Sequence, residues 1–191
     1  MATTNALDLT ERLALHQRMA ESYRDAYRSR TVQAGDTYES WVFSPDAVYW
    51  SPYFGSEVIP LAEHPISVQE SATMEAVAYS VAFKDWGPVD FRAWAADHGF
   101  VMKTRFEGRR RVDDAVMGFF AYGFVETNDQ GRIIRWETHV SREYDDFLDV
   151  AIGIHGPFGG RADEYMDALG RTLAKAGIDL GSLRLRPGAR S

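Results

Sequence analysis

A few tyrosine, arginine and lysine side chains in predicted strands have the spacing that proton-transfer chemistry needs. Side chains alternate between the two faces of a strand, so Tyr49 and Ser51 share one face of a strand predicted over residues 47–51. Arg92, in a later predicted strand, carries a guanidinium that could anchor a phenolate or a developing oxyanion, and Lys103 in the next strand is the alternative cation. A hydroxyl and a cation on the walls of one cavity would suit acid–base catalysis.

The composition excludes several classes of protein and site. The 191 residues contain no cysteine, which rules out disulfides, thiolate metal sites and cysteine nucleophiles. A net charge of −7, with one short basic run at residues 109–111, argues against nucleic acid as the main partner. No apolar run reaches the ~18 residues of a membrane span, and the N-terminus lacks a secretory pattern. We therefore expect a cytoplasmic protein with no membrane partner.

Signals for metals and cofactors are weak. Glu137 and His139 lie on one predicted strand, and such a lone pair is a poor indication of a metal site. The glycine-rich residues 156–160 lack the strand before and the helix after of a dinucleotide fingerprint, so they indicate a turn or a lid. We expect no metal and no cofactor, with His155 as a residue that could close the site.

The rest of the chain must position these side chains, and its periodicity predicts an α+β protein. Apolar residues recur at steps of three and four from Leu9 to Tyr27, which predicts a long amphipathic helix. Capping boxes and a terminal glycine predict helices over residues 37–43, 67–83 and 161–176. After residue 88 the period becomes strand-like, and polar turns divide four antiparallel strands over residues 90–96, 100–110, 115–126 and 132–141.

Helices that cover one face of a strongly curved sheet would leave a conical cavity between helices and sheet. Strand alternation, with a two-residue turn at Asp113-Asp114 that pairs Thr104 with Gly123, predicts which side chains share a face. Which face of the last two strands points into the cavity is implied by the family resemblance given below. The expected substrate-binding residues are Ser51, Phe54, Trp94, Met102, Thr104, Phe106, Phe119, Trp136, Thr138 and His155. This largely aromatic set suits a flat, aromatic ligand held by stacking and a few hydrogen bonds.

The opposite face of the predicted sheet, called the outer face below, mixes aromatic and charged side chains. It carries Lys103, Arg105, Phe120, Tyr122, Phe124, Arg135, Glu137 and His139. A monomer of this size rarely exposes so much apolar surface, so this face predicts a homodimer interface. A single bulge would exchange the two faces, which keeps Lys103 a candidate for the site.

The order of elements and three short motifs resemble the SnoaL-like families of the nuclear transport factor two superfamily. The motifs are Gly35-Asp36 after the first helix, residues 44–48 before the first strand, and residues 131–133 at the start of the last strand. The resemblance implies a curved antiparallel sheet wrapped around helices into a conical α+β barrel over residues 1–142. Residues 143–191 would be a C-terminal helical extension, a lid and a helix packed on the same domain.

The resemblance also implies cofactor-free acid–base chemistry, as in ketosteroid isomerases, scytalone dehydratases and polyketide cyclases. Tyr27 matches a hydrogen-bonding tyrosine of related isomerases, and Tyr49 matches the strand tyrosine of scytalone dehydratases. Ser51 occupies the position of the isomerases' general base, and Gly123 matches the position of their oxyanion-stabilising acid. Because both carboxyls are replaced, steroid-type isomerisation is disfavoured.

The predicted function is that of a cofactor-independent lyase acting on a small phenolic substrate. Tyr49, Tyr27 and either Arg92 or Lys103 would supply a proton donor, a proton acceptor and a cation near the phenolate. The resemblance extends to lyases that release formaldehyde from a lignin-derived diarylpropane diol to give a stilbene. The alternatives are a scytalone-dehydratase-like dehydratase, a polyketide cyclase or isomerase, and a non-catalytic module that binds an aromatic metabolite.

Overall fold

The structure is a computed structural model that describes residues 6–29, 41–51, 59–60, 68–157 and 161–178. Within these ranges the chain forms four helices and six strands. The helices are α1 (Leu9–Ser29), α2 (Val68–Ala82), α3 (Glu143–Ile152) and α4 (Ala162–Lys175). The strands are β1 (Phe43–Trp50), β2 (Ile59–Pro60), β3 (Phe83–Ala96), β4 (Gly99–Arg110), β5 (Val116–Thr127) and β6 (Ile133–Val140).

One curved sheet contains all these strands in the order β2-β1-β6-β5-β4-β3. The predicted antiparallel meander is confirmed as β3 to β6, whereas β1 runs parallel to β6 and pairs Tyr49 with Trp136. Register breaks in β3 at Lys84–Gly87 and Pro88–Asp90 bend and twist that strand. Helix α1 packs on β3 and β4, α2 on β3, and α3 on β5, which gives the predicted α+β fold class.

The turn between β3 and β4 decides which side chains of β3 reach the interior. Ala96 pairs with Gly99, so Asp97 and His98 alone form the turn. Gly99 has a φ of 147°, and a Cβ there would lie 1.8 Å from the carbonyl oxygen of Val125, so the position requires glycine. This tight register pairs the inward residues Phe100, Met102 and Thr104 of β4 with the odd-numbered residues Ala95, Ala93 and Phe91 of β3.

The connection between β4 and β5 is longer than the predicted two-residue turn. Arg109 pairs with Val116, and Thr104 therefore lies opposite Ala121 and not opposite Gly123. The pairing of β4 with β5 is therefore shifted by two residues from the predicted register, and a shift of two leaves each side chain on its predicted face. The inward residues Phe100, Met102, Thr104 and Phe106 of β4 are all buried, as predicted.

Two helix predictions need correction. The short helix over residues 37–43 is wrong at Phe43, which begins β1, and its residues up to 40 lie outside the described ranges. Helix α3 was not predicted, although Tyr144, Phe147, Leu148 and Ala151 recur at helical spacing and are buried. Among the described helices, none is long and apolar enough to cross a bilayer.

Aromatic rings form a continuous core from α1 to α3. Trp86 stacks on Phe106 with ring centroids 5.2 Å apart, and Phe106 lies 5.4 Å from Phe119. Phe147 of α3 continues the series, 4.9 Å from Phe119 and 4.7 Å from Phe83. Helix α3 therefore belongs to the same core as the sheet, and aromatic contacts of this kind add to the stability gained by apolar burial.

A buried histidine fixes α1 to the C-terminal ends of β3 and β5. The Nδ1 atom of His16 lies 2.7 Å from the carbonyl oxygen of Ala96, and its Nε2 atom lies 2.8 Å from the Thr127 hydroxyl. Since a carbonyl only accepts, Nδ1 carries the proton and Nε2 accepts from Thr127. His16 is fully buried, and this burial lowers its pKa, so the ring is neutral in the folded protein.

This geometry predicts a loss of stability in acid that depends on His16. A histidine whose folded pKa is lowered leaves stability intact above its unfolded pKa of about 6.5, and stability falls as the pH drops below that value. His16→Gln should lower the free energy of unfolding at pH 8 but flatten its decline between pH 7 and 5. Urea titrations would measure this, with the exposed His98→Gln as the control. Equal pH slopes for His16→Gln and wild type would contradict the assignment.

Candidate active site

The inward face of the sheet meets α1 at a small cavity. Its lining consists of Tyr23, Met102, Thr104, Ala121, Tyr122, Gly123, Trp136 and Thr138. Four of these residues, Met102, Thr104, Trp136 and Thr138, were predicted to bind substrate. The cavity has about 200 Å³ of empty space including its opening to solvent, but only about 10 Å³ can hold the centre of a water molecule. That is room for about one water.

Aromatic side chains pack against one another where the sequence predicted a stacked ligand. Trp136 has its ring centroid 4.8 Å from that of Trp41 and 5.2 Å from that of Tyr49. The rings of Phe106 and Phe119 likewise contact each other and lie within the core. A pocket for a drug-sized ligand occupies about 300–1,000 Å³. The cavity beside Trp136 is therefore too small to be the whole substrate site.

Arg92 and Trp94 lie on the outer face, which corrects their expected inward position. Lys103 lies on the same face, as strand alternation predicted, so the alternative that turned it into the site is wrong. Arg92 pairs with Lys103, and Trp94 pairs with Val101, so their side chains point away from buried Met102 and Thr104. The Nζ atom of Lys103 lies over the Phe120 ring, 4.6 Å from its centroid. The sequence prediction failed because it assumed a three-residue turn at residues 97–99, which reverses the faces of β3.

Two further predicted residues cannot be placed in the site. His155 is exposed over 81% of its side chain, and its Nδ1 atom lies 2.6 Å from Asp149 Oδ1, so it does not reach the interior. The turn that carries it follows α3, whose last helical residue is Ile152, and runs along the surface. Phe54 lies outside the described residues.

Both predicted catalytic tyrosines are buried. Tyr27 packs edge-on against Tyr23, Trp86 and Phe106, with centroid distances of 5.0, 5.5 and 5.0 Å. Tyr49 lies on the inward face of β1, where the nearby Thr138 and Ser51 hydroxyls favour its ionised form and oppose the rise in its pKa. Burial dominates and raises the pKa of Tyr49 to about 12, so at neutral pH its hydroxyl is a donor and not a base.

A carboxyl group that the sequence analysis missed lies at the centre of the tyrosines. Glu75 of α2 accepts a short hydrogen bond from the Tyr165 hydroxyl of α4. Tyr79, one turn further along α2, has its hydroxyl 2.6 Å from that of Tyr165 and 2.7 Å from that of Tyr144 in α3. The hydroxyls of Tyr144 and Tyr165 are 3.3 Å apart. Three helices therefore contribute to one cluster of hydroxyls around one carboxyl.

The charge of Glu75 affects the pKa values of tyrosines in other elements. Burial raises the pKa of this carboxyl to about 7, against the opposing effect of the hydrogen bond from Tyr165. The carboxylate in turn helps to raise the pKa of Tyr23 in α1 and of Tyr49 in β1, so both lie within its field. Near neutral pH the carboxyl can thus either give or take a proton, while the surrounding tyrosines stay protonated.

The signal for Glu75 was present in the sequence but is easily overlooked. Its neighbours Met74, Ala76 and Ala78 are buried, and Tyr79 lies four residues on, so Glu75 is the one acidic side chain in the apolar second half of α2. The partners that identify its role, Tyr144 and Tyr165, are distant in sequence. Only the folded chain brings them together.

The structure gives no support for the metal pair considered from the sequence. Glu137 accepts a hydrogen bond of 2.5 Å from Arg135, and its other oxygen lies 3.6 Å from His139 Nε2. Among the described ranges, no group of three or more histidine, aspartate or glutamate side chains could hold a metal ion.

Comparison with known proteins gives structural neighbours only. No family model and no curated protein matches the chain. A candidate SnoaL-like polyketide cyclase from Jannaschia sp. CCS1 aligns at 12% identity over 79% of this chain and 99% of its own, with a TM-score of 0.49. A steroid delta-isomerase from Pseudomonas aeruginosa aligns at 16% identity over 85% and 94%, with a TM-score of 0.42. A phenazine biosynthesis-related protein from Pseudomonas aeruginosa aligns at 15% over 78% and 92%, with a TM-score of 0.44.

All three TM-scores are below 0.5, so these neighbours assign neither an activity nor a substrate to this chain.

The raised pKa of Glu75 predicts a loss of stability at alkaline pH. Its pKa rises from 4.5 to about 7 on folding, so the protonated form is favoured in the folded state. Stability is fully present below the unfolded value and is lost as the pH rises through the folded value. Between pH 5 and 8.5 the wild type should lose about 2–3 kcal/mol that Glu75→Gln keeps.

Urea titrations of both proteins at the two pH values would measure this difference. Glu126→Gln, on the exposed surface of β5, is the matched control and should follow the wild type. Parallel curves for Glu75→Gln and wild type would mean that the carboxyl titrates normally.

Proposed function

We propose that the protein is a cofactor-independent acid–base enzyme acting on a small phenolic substrate, with Glu75 as the group that gives and takes the proton. The observation that carries the proposal is a partly buried carboxyl whose pKa is raised to about 7, amid hydroxyls from several elements. Burying a carboxyl costs free energy of folding, and a carboxyl whose pKa lies near 7 can give and take a proton at physiological pH.

In this interior, tyrosine hydroxyls and not a cation would stabilise the phenolate of the substrate. A phenolate needs hydrogen-bond donors. Because burial raises the pKa of Tyr49 to about 12, its hydroxyl stays protonated at neutral pH and can donate one. Tyr49 lies in the field of Glu75, and Ser51 and Thr138 supply further hydroxyls beside it. These donors take the part that sequence analysis gave to Arg92 or Lys103, both of which lie on the outer face.

More specifically, we propose that the enzyme is a lyase that couples dehydration to carbon–carbon cleavage. The substrate would carry a para-phenolate, a benzylic hydroxyl and, on the next carbon, a hydroxymethyl group. Protonated Glu75 gives its proton to the benzylic hydroxyl, the C–O bond breaks, and water leaves as the phenolate becomes a quinone methide. The Glu75 carboxylate then takes the proton of the hydroxymethyl group.

Cleavage of the carbon–carbon bond completes this reaction. Its electrons form the new alkene and restore the phenolate, and the hydroxymethyl carbon leaves as formaldehyde. The products are a stilbene, water and formaldehyde, and Glu75 ends protonated as it began. The reaction involves no net oxidation, so the proton of one carboxyl is sufficient for it.

A dehydratase, cyclase or isomerase would use the same carboxyl differently. There Glu75 would take a proton from a carbon next to a carbonyl, and the tyrosine hydroxyls would stabilise the resulting enolate. A binding module would hold the same ligands without turnover. The products distinguish these alternatives from the lyase.

The test is incubation with a panel of phenolic dimers that bear vicinal or 1,3-diols, followed by mass spectrometry and a formaldehyde assay. We expect a stilbene and formaldehyde in equal amounts from one class of diol. Glu75→Gln should lower the rate by about 10²–10⁴-fold, while the surface variant Glu126→Gln should not. Turnover that Glu75→Gln leaves intact would refute the role of Glu75, and binding without turnover would favour the module.

We also propose that the protein is a homodimer through the outer face. Trp94 is 53% exposed and Phe124 is 41% exposed on this face, and Lys103 and Arg105 cover the ring of Phe120. Apolar surface of this kind next to charged groups is typical of an interface.

Light scattering at micromolar concentration should give twice the chain mass of 21.5 kDa. Trp94→Arg should shift the protein toward the monomer, whereas Val112→Arg in the exposed β4–β5 turn should not. A monomeric wild type would contradict the proposal.

A further inference from the structure

We infer that the C-terminal extension is part of the active site, because Tyr165 of α4 is a positioning residue that orients the Glu75 carboxylate through its hydroxyl. Residues 143–191 lie beyond the part of the chain that the sequence resemblance covers. Yet both described helices of this segment, α3 and α4, contribute a buried hydroxyl to the cluster around Glu75. The inference deepens the proposed function and relies on it only for its catalytic readout.

The direction of each hydrogen bond follows from the number of protons. The Tyr165 hydroxyl donates its single proton to Glu75 Oε1. It must therefore accept from Tyr79, whose hydroxyl lies 2.6 Å away. Tyr79 in turn accepts from Tyr144, 2.7 Å away, because its own proton points to Tyr165.

The ionised carboxylate thus organises a chain of donors that runs from α3 through α2 to α4 and back to α2. Each donor in such a chain polarises the next, which strengthens the bond to the charged end. Tyr165 is 3% exposed and Tyr144 is 4% exposed, so water does not replace these bonds. Because α4 packs on α2, the rotamer of Glu75 depends on a helix more than eighty residues away in sequence.

The titratable side chains that interact with Glu75, electrostatically or through Tyr165, come from five elements. They are Tyr23 of α1, Tyr49 of β1, Tyr79 of α2, Tyr144 of α3 and Tyr165 of α4. Among these groups, Tyr165 donates the hydrogen bond that favours the ionised form of Glu75. Its removal should therefore act on the carboxyl more strongly than the removal of any neighbour in the cluster.

Three variants of equal size form a matched series. Tyr165→Phe removes the direct donor, Tyr79→Phe removes the next hydroxyl in the chain, and Tyr144→Phe removes the last. Each deletes one buried hydroxyl and leaves the ring in place. Carbon-13 NMR of labelled glutamate in the full-length protein, with Glu75→Gln to assign the signal, reports the titration of Glu75 without a substrate.

We expect the pKa of Glu75 to rise by about 1–2 units in Tyr165→Phe, since a hydrogen bond to a charged group contributes about 1.5–3 kcal/mol and one unit corresponds to about 1.4 kcal/mol. The rise should be smaller in Tyr79→Phe and smallest in Tyr144→Phe. With a substrate, the alkaline limb of the pH–rate profile, which reports the loss of protonated Glu75, should move upward by the same amounts. A merely structural tyrosine would lower stability without moving either curve.

Two results would overturn the inference. One is a Glu75 titration unchanged in Tyr165→Phe, and the other is an equal shift in all three variants. If Tyr165→Phe does not fold, Tyr79→Phe compared with Tyr144→Phe decides the order of the chain. Failure of the proposed function is distinct, since full activity in Glu75→Gln would remove the catalytic role while the NMR titrations still test the hydrogen bond.

Discussion

The burial of one carboxyl among tyrosine hydroxyls is the constraint on which the rest of the interior depends. A carboxylate loses its hydration when it leaves water, and hydrogen bonds from the protein must replace it. For Glu75 that replacement comes from Tyr165, supported by Tyr79 and Tyr144. These contacts require α2, α3 and α4 to meet at one point. The same burial makes the carboxyl a group that exchanges a proton near neutral pH.

The aromatic content of the chain has a structural use as well as a chemical one. Trp86, Phe106, Phe119 and Phe147 contact one another in sequence across the core, and Trp136 and Trp41 fill much of the space beside β6. Ring packing of this kind holds the sheet against the helices. Tyr79 connects this core to the Glu75 cluster, since its ring packs edge-on against Trp86 and Phe147 at centroid distances of 5.3 and 5.1 Å.

Local patterns predicted the meander and its inward face well, because a period of two is a strong signal and a two-residue slip preserves it. They failed for Arg92 and Trp94, because a β3–β4 turn one residue shorter than predicted exchanges the two faces of β3. They also failed for Glu75, because an acidic residue within a helix usually faces water. Its burial depends on Tyr165, which lies ninety positions away in the chain.

The titration of Glu75 in the intact protein tests the central claim most directly. Carbon-13 NMR of selectively labelled glutamate would follow its carboxyl carbon from acid to alkaline pH. We expect a midpoint of about 7 for this one glutamate. A midpoint below about 5 for Glu75 would mean an ordinary carboxylate, and the acid–base role assigned to it would be wrong.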